Sequence, residues 1–131
     1  MTAYVVYDAG ALIAADRSQR MFLAGHKIRL KAGVVPLLPA PVLSQAWAPG
    51  GQHAMLHKVV KGCLVMPFTD DHARGVAALC RGAGLTDVVG GFVALTAIMH
   101  DHATVITSDV DDIRRLVTAV PSRSRVVVCR P

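Results

Sequence analysis

The chain alternates between two hydrophobic patterns. Short apolar runs, rich in β-branched residues, occur at residues 3–7, 34–38, 64–68, 104–107 and 125–129. Turn-forming residues flank them, and each reads as a buried strand. Between them apolar residues return every three or four positions, the helical period. That spacing predicts helices over 11–15, 16–31, 40–47, 52–61, 70–81, from Asp87 to about 99, and over 110–117. Prolines 36, 39 and 41 shorten the second strand. Strands alternating with helices in this way predict an α/β fold with a parallel sheet covered on both faces.

The segment from Thr86 to Met99 is apolar nearly all round, so its helix is expected to be buried on most sides. Thr86 is the expected N-cap, with Asp87 in the first turn and Val88, Phe92, Leu95 and Met99 on the main stripe. The other helices show narrower inner faces. These are Phe22, Leu23, Ile28 and Leu30; then Leu43, Ala46 and Trp47; then Met55, Leu56, Val59 and Val60. Further on they are Ala73, Val76, Ala77 and Cys80, and finally Val110, Ile113, Leu116 and Val117. Thr69 caps the fifth helix and Gly82 or Gly84 stops it. Ser108 with Asp111 reads as a capping box with Asp in place of Glu.

Composition narrows the setting. With 131 residues, 53% hydrophobic and 18% charged, the chain suits a single globular domain, 1–131, with a real core. The longest stretch without a charged residue or His, 32–52, carries four prolines, so no membrane span is expected. The N-terminus has no export-signal pattern, and three cysteines without CxxC spacing read as reduced thiols. Both point to the cytoplasm. The net charge of +5 is concentrated in two groups, 17–31 and 114–130, which suits a polyanionic partner. His53 and His57 stand four apart, a metal-holding spacing, but have no third ligand nearby and read as a solvated or phosphate-facing pair. All nine acidic residues are Asp.

Three of these acids have matching addresses. Asp8 and Asp109 each leave a strand at the turn into a helix, and Asp87 opens the helix that leads into the Asp109 strand. In open α/β sheets that carboxyl edge binds ligands. If the two strands are neighbours, the three carboxylates meet. Like charges ~4 Å apart repel by roughly 1–4 kcal/mol at the effective dielectrics of protein surfaces and water. Such a cluster needs raised pKa values or a cation. Hard oxygen ligands favour Mg²⁺ or Mn²⁺, and either metal would activate water toward a phosphodiester. Arg17 and Arg20 in one basic group, and Arg114 and Arg115 in the other, are the candidate RNA contacts. The competing reading is three separate acids, each satisfied at its own helix start.

At this point the chain resembles a family. Val5-Val6-Tyr7-Asp8-Ala9-Gly10-Ala11-Leu12-Ile13-Ala14 looks like the first motif of PIN-domain nucleases of the VapC toxin type. Thr86-Asp87-Val88-Val89 looks like their third acidic motif, and Val105-Ile106-Thr107-Ser108-Asp109-Val110-Asp111-Asp112 like the fourth. The resemblance runs from residue 4 to about 118 and implies a three-layer α/β/α PIN-like fold and ribonuclease activity. It implies Mg²⁺ or Mn²⁺ held by Asp8, Asp87 and Asp109, with Asp111 and Asp112 as auxiliary acids and Thr107 and Ser108 bonding ligands or water. It also implies a homodimer and a small antitoxin partner. The second motif departs: Gln45 stands where the family usually has Glu. An amide coordinates through its carbonyl oxygen but brings no charge and cannot act as a base. Two outcomes follow, a ribonuclease or a PIN-like module that binds nucleic acid or antitoxin without hydrolysis. A receiver-like signalling domain, which also gathers Asp at strand ends, fits less well, because no Lys stands at the last strand's exit.

Overall fold

The computed structural model describes residues 3–122 and 125–131. Its elements are β1 (Tyr4–Tyr7), α1 (Ala9–Asp16), α2 (Arg20–Lys31), β2 (Leu37–Pro39), α3 (Ala40–Ala46), a 3-10 turn (Gly51–His53) and α4 (Ala54–Lys61). Then come β3 (Leu64–Met66), α5 (Asp70–Ala83), α6 (Val88–Ile98), β4 (Ala103–Ile106), α7 (Val110–Val117) and β5 (Val126–Cys129). This is the predicted alternation. The five strands form one parallel sheet in the order β3-β2-β1-β4-β5. α1 packs with α2, α3 and α4, while α6 packs with α5 and α7 and runs against β1, β2 and β4. The result is three layers, with Val6, Tyr7, Leu38, Phe92, Val93 and Val105 at the centre of the core. No single helix among the described residues is long and apolar enough to cross a membrane.

The strand order places the site. The chain leaves β1 in one direction toward β2 and β3, and returns on the other side as β4 and β5. β1 and β4 therefore flank the switch point, where the loops beyond the strand ends diverge and open a crevice. Tyr7 is in register with Ile106, so the next residues, Asp8 and Thr107, face each other at the sheet's carboxyl edge.

Several local expectations differ from the structure. Asp87 is itself the N-cap of α6, without a side-chain capping bond, and Thr86 lies exposed before it. Val88 and Met99 are half exposed, and α6 instead buries Gly90, Gly91, Phe92, Val93, Ala94, Thr96 and Ala97. A helix apolar on every side gives periodicity nothing to choose between, and its small residues take the closest approach. In the amphipathic α5 the inner face is also shifted: Ala73 and Ala77 are exposed and Leu79 is buried with Val76 and Cys80. In α2, Ile28 is 68% exposed and His26 takes an inner position. Val42, not Trp47, is buried on α3. Ser18, at φ 54°, breaks residues 16–31 into the end of α1 and a separate α2. Thr69 caps α5, in a capping box with His72, and Gly84 stops it at φ 69°. His53 donates to Asp16 at 2.8 Å and His57 to the Ala48 carbonyl at 2.6 Å, so the two rings do not share a ligand position.

A polar cluster beneath the sheet edge was not expected. The Tyr7 hydroxyl oxygen accepts from Arg29 Nε (3.1 Å) and Nη2 (2.9 Å), and lies 2.7 Å from His26 Nδ1. A guanidinium only donates, so the hydroxyl proton goes to Nδ1 of a neutral His26. Burial, and then Arg29, hold the His26 pKa low, which agrees. Burial pushes Tyr7 up to about 12, although its bond to Arg29 pulls the other way. A raised folded pKa favours the neutral phenol. The associated stability is thus complete below the ordinary tyrosine pKa of about 10 and is lost as pH rises through about 12. Tyr7→Phe should cost about 2 kcal/mol near neutral pH, because it strips the acceptor from the half-buried Arg29 and the donor from the buried His26. It should also flatten the fall in stability between about pH 10 and 12, as read by urea unfolding at each pH. An unchanged pH profile would remove Tyr7 from that transition.

Candidate active site

Asp8, Gln45, Asp87, Ser108 and Asp109 line one cleft of about 220 Å³, with Ala9, Gly10, Ile13, Val89 and Gly90 completing its wall. Each polar group arrives by a different route. Asp8 follows β1 and is the N-cap of α1; Ser108 and Asp109 follow β4; Asp87 begins α6; and Gln45 comes from the last turn of α3.

Asp8 is the fixed point. It is 8% exposed, and its Oδ1 accepts from the Ala9 N–H at 2.8 Å. Its Oδ2 accepts from the Thr107 hydroxyl at 2.6 Å. The Thr107 Oγ1 in turn accepts from the Asp109 N–H at 2.9 Å. One buried hydroxyl thus ties the exit of β1 to the exit of β4, and the anticipated Ser108–Asp111 capping box is not formed. Burial is the main reason the Asp8 pKa is raised; the bonds from Thr107 and Ala9 lower it, and the charges of Asp87 and Asp109 raise it. Asp87 and Asp109 are exposed, and no salt bridge among the described residues engages them or Asp8. No Lys or Arg lines the cleft.

Two glycines make the arrangement sterically possible, and the sequence reading missed both. A Cβ on Gly10 would collide with Ser108. A Cβ on Gly90 would lie 2.5 Å from Asp87 Oδ2. A glycine two residues after one candidate acid and three after another was the available signal.

The remaining expected residues lie elsewhere. Asp111 and Asp112 stand in the first turn of α7, outside the cleft wall, where the helix dipole accounts for them. Arg115 donates to the Ala83 carbonyl at 2.6 Å and so closes the C-terminus of α5. Arg20 and Arg114 are exposed on α2 and α7, also outside the cleft. Arg17 lines a second cavity that shares Gly10, Ile13 and Ser108 with the acidic one. Arg123 of the second basic group lies outside the described residues.

The donor set in the cleft is three carboxylates, one amide and one hydroxyl, all hard oxygen, which suits Mg²⁺ or Mn²⁺ rather than a softer ion. As they stand, the side chains do not form a ready-made cage: among the described residues no three His, Cys, Asp or Glu groups are placed to hold a metal ion. Asp87 and Asp109 stand exposed at the surface, while Asp8 is held from two sides.

Neither a family model nor a curated protein matches the chain. A solved structure does: VapBC2 from Rickettsia felis bound to a DNA fragment from their promoter, with a TM-score of 0.66 over 99% of this chain and 99% of that one. The fold is PIN-like. Sequence identity over that match is 11%, so the PIN-like framework is shared while most side chains differ. In this PIN-like chain the acidic cleft therefore rests on its own geometry: adjacent β1 and β4, and the Asp8–Thr107 bond.

Proposed function

We propose that this protein is a metal-dependent ribonuclease, the toxin of a toxin–antitoxin pair. The observation that carries the reading is the single cleft at the switch point, lined by Asp8, Asp87 and Asp109 and free of a neutralising Lys or Arg. Three carboxylates gathered at one edge do not aid folding, so a divalent cation is the natural partner for them. The PIN-like fold and the VapBC complex sharing it support the toxin assignment and a small antitoxin partner. By the family resemblance the protein acts as a homodimer.

Asp8, Asp87 and Asp109 would hold Mg²⁺ or Mn²⁺, with the Gln45 carbonyl oxygen adding a neutral donor. The bound ion supplies a polarised water and offsets charge on the phosphodiester. Thr107 keeps the Asp8 carboxylate oriented by donating to Oδ2, and leaves Oδ1 to the Ala9 N–H. The buried end of the cleft excludes bulk water from Asp8, and the exposed Asp87 and Asp109 face the incoming strand.

Purified protein with structured RNA and Mn²⁺ should cleave it, and EDTA should stop the cleavage. No cleavage with any divalent metal would favour the PIN-like binding module, the reading supported by the missing charge at Gln45. Gln45→Glu should tighten Mn²⁺ binding by about tenfold, because it adds a fourth carboxylate to the same wall. Calorimetric titration reads this, and an unchanged affinity would place Gln45 outside the metal's reach.

A further inference from the structure

The acidic cleft does not end at Ser108. Gly10, Ile13 and Ser108 also border a larger cavity of about 420 Å³, which Arg17 and Arg130 line as well. Gly10, Ile13, Ala14 and Arg17 are spaced as one face of α1, so this groove follows the helix from its N-terminus to its C-cap. Seven residues separate Gly10 from Arg17, about 10 Å along the helix axis. Arg130 comes from just beyond β5 and is steadied by a bond from Nη1 to the Ser108 carbonyl at 3.3 Å. Its other N–H groups, and the guanidinium of Arg17, have no bonds among the described residues. Ile13, 44% exposed, borders both cavities and lies one helical turn before Arg17.

The acidic cleft is thus continued by a cavity that carries an exposed apolar side chain and two arginines. The geometry points to a phosphate subsite: Arg17 and Arg130 hold the backbone phosphate of a nucleotide next to the one in the acidic cleft, and Ile13 packs against the intervening sugar or base. This deepens the nuclease reading by giving the strand its path, and it adds Arg130 to the binding surface.

Binding is measured separately from cleavage. A short fluorescein-labelled single-stranded RNA is titrated in EDTA and followed by anisotropy at several salt concentrations. Arg17→Ala and Arg130→Ala should each weaken binding about fivefold at low salt and lower the salt slope by about 0.7, the value for one lost phosphate contact on a single strand. Arg17→Gln and Arg130→Gln should do the same if the guanidinium is what matters, and melting curves check that all four variants remain folded. Arg74→Ala removes one equal charge on α5, where Arg74 pairs with Asp70 and Asp71, and should leave binding near wild type. If the Arg17 and Arg130 variants bind like Arg74→Ala, or if the wild type does not bind, the subsite is overturned. If their binding falls as expected while no metal supports cleavage, the subsite stands and the nuclease reading fails.

Discussion

Asp8→Asn should lower the proposed Mn²⁺-dependent RNA cleavage by about 100-fold or more, while the protein stays folded. The expectation follows from the position of this carboxylate. Asp8 is the buried member of the trio, fixed by Thr107 and the Ala9 N–H, and in the proposed metal site it supplies the innermost charge. The amide has the same shape, so the core is not disturbed. Its carbonyl oxygen can still accept from Ala9, but only one of its two polar atoms is an acceptor, and the Thr107 bond is weakened. Against that loss stands a gain. Burial and the neighbouring charges raise the Asp8 pKa, so the ionised side chain is disfavoured in the fold. A raised folded pKa gives stability that is complete below the ordinary carboxylate range and lost as pH rises through the folded pKa. The variant lacks that loss. Relative to the wild type it should therefore improve as pH rises from the acid side, as measured by denaturant unfolding across pH. Wild-type cleavage by the variant would sink the site; a variant that fails to fold would make Asp8 a structural residue.

The second large effect is on stability, and it separates two adjacent glycines. At Gly91 a Cβ would meet Val76 Cγ1 at 2.7 Å and Cys80 Sγ at 3.0 Å, both on the facing α5. Both residues are buried in the contact between α5 and α6, so the added atoms must displace them. Gly91→Val should therefore destabilise the protein by about 3 kcal/mol, the upper range for overpacking a well-filled core. That corresponds to roughly 10 °C of melting temperature for a chain of this size. At Gly90 the clash is with the tip of the Asp87 side chain, which can swing away. Gly90→Ala should leave the melting temperature unchanged or raise it, since Ala is favoured over Gly inside a helix by about 0.5–1 kcal/mol. The same methyl pushes the Asp87 carboxylate out of position, so Mn²⁺ affinity and cleavage should fall together. A Gly90→Ala protein with wild-type metal affinity would show that Asp87 does its work elsewhere or not at all.

The two glycines also show where sequence reading reaches its limit. Gly90 and Gly91 sit in a segment whose apolar character is plain, yet nothing in the spacing says which side faces α5 and which side leaves room for Asp87. The stripe through Val88 and Met99 was a reasonable expectation for an isolated helix, and both residues are half exposed. The choice was made by close approach of α5, which only small residues permit. Thr107 is a similar case. It reads as the end of a strand followed by a capping Ser108, whereas in the fold its hydroxyl joins Asp8 to the Asp109 backbone. Arg115 reads as part of a basic surface, and in the fold its exposed guanidinium also bonds the Ala83 carbonyl at the end of α5. Tyr7, His26 and Arg29 are separated by 19 and 22 residues in the pairs that touch, beyond any local pattern.

The order of strands and helices, and an acid at the exit of both the first and the fourth strand, are local properties: they depend on hydrophobic period, on Gly and Pro, and on nearest neighbours, and the chain's letters alone determine them. Which strands lie side by side is not local. The pairing of β1 with β4 comes from packing two sets of helices on opposite faces of one sheet, and that pairing, with α6 laid across β1, β2 and β4, brings residues 8, 87 and 109 to a shared cleft. Backbone hydrogen bonds and buried contacts across some hundred residues decide it, and no window of sequence contains them.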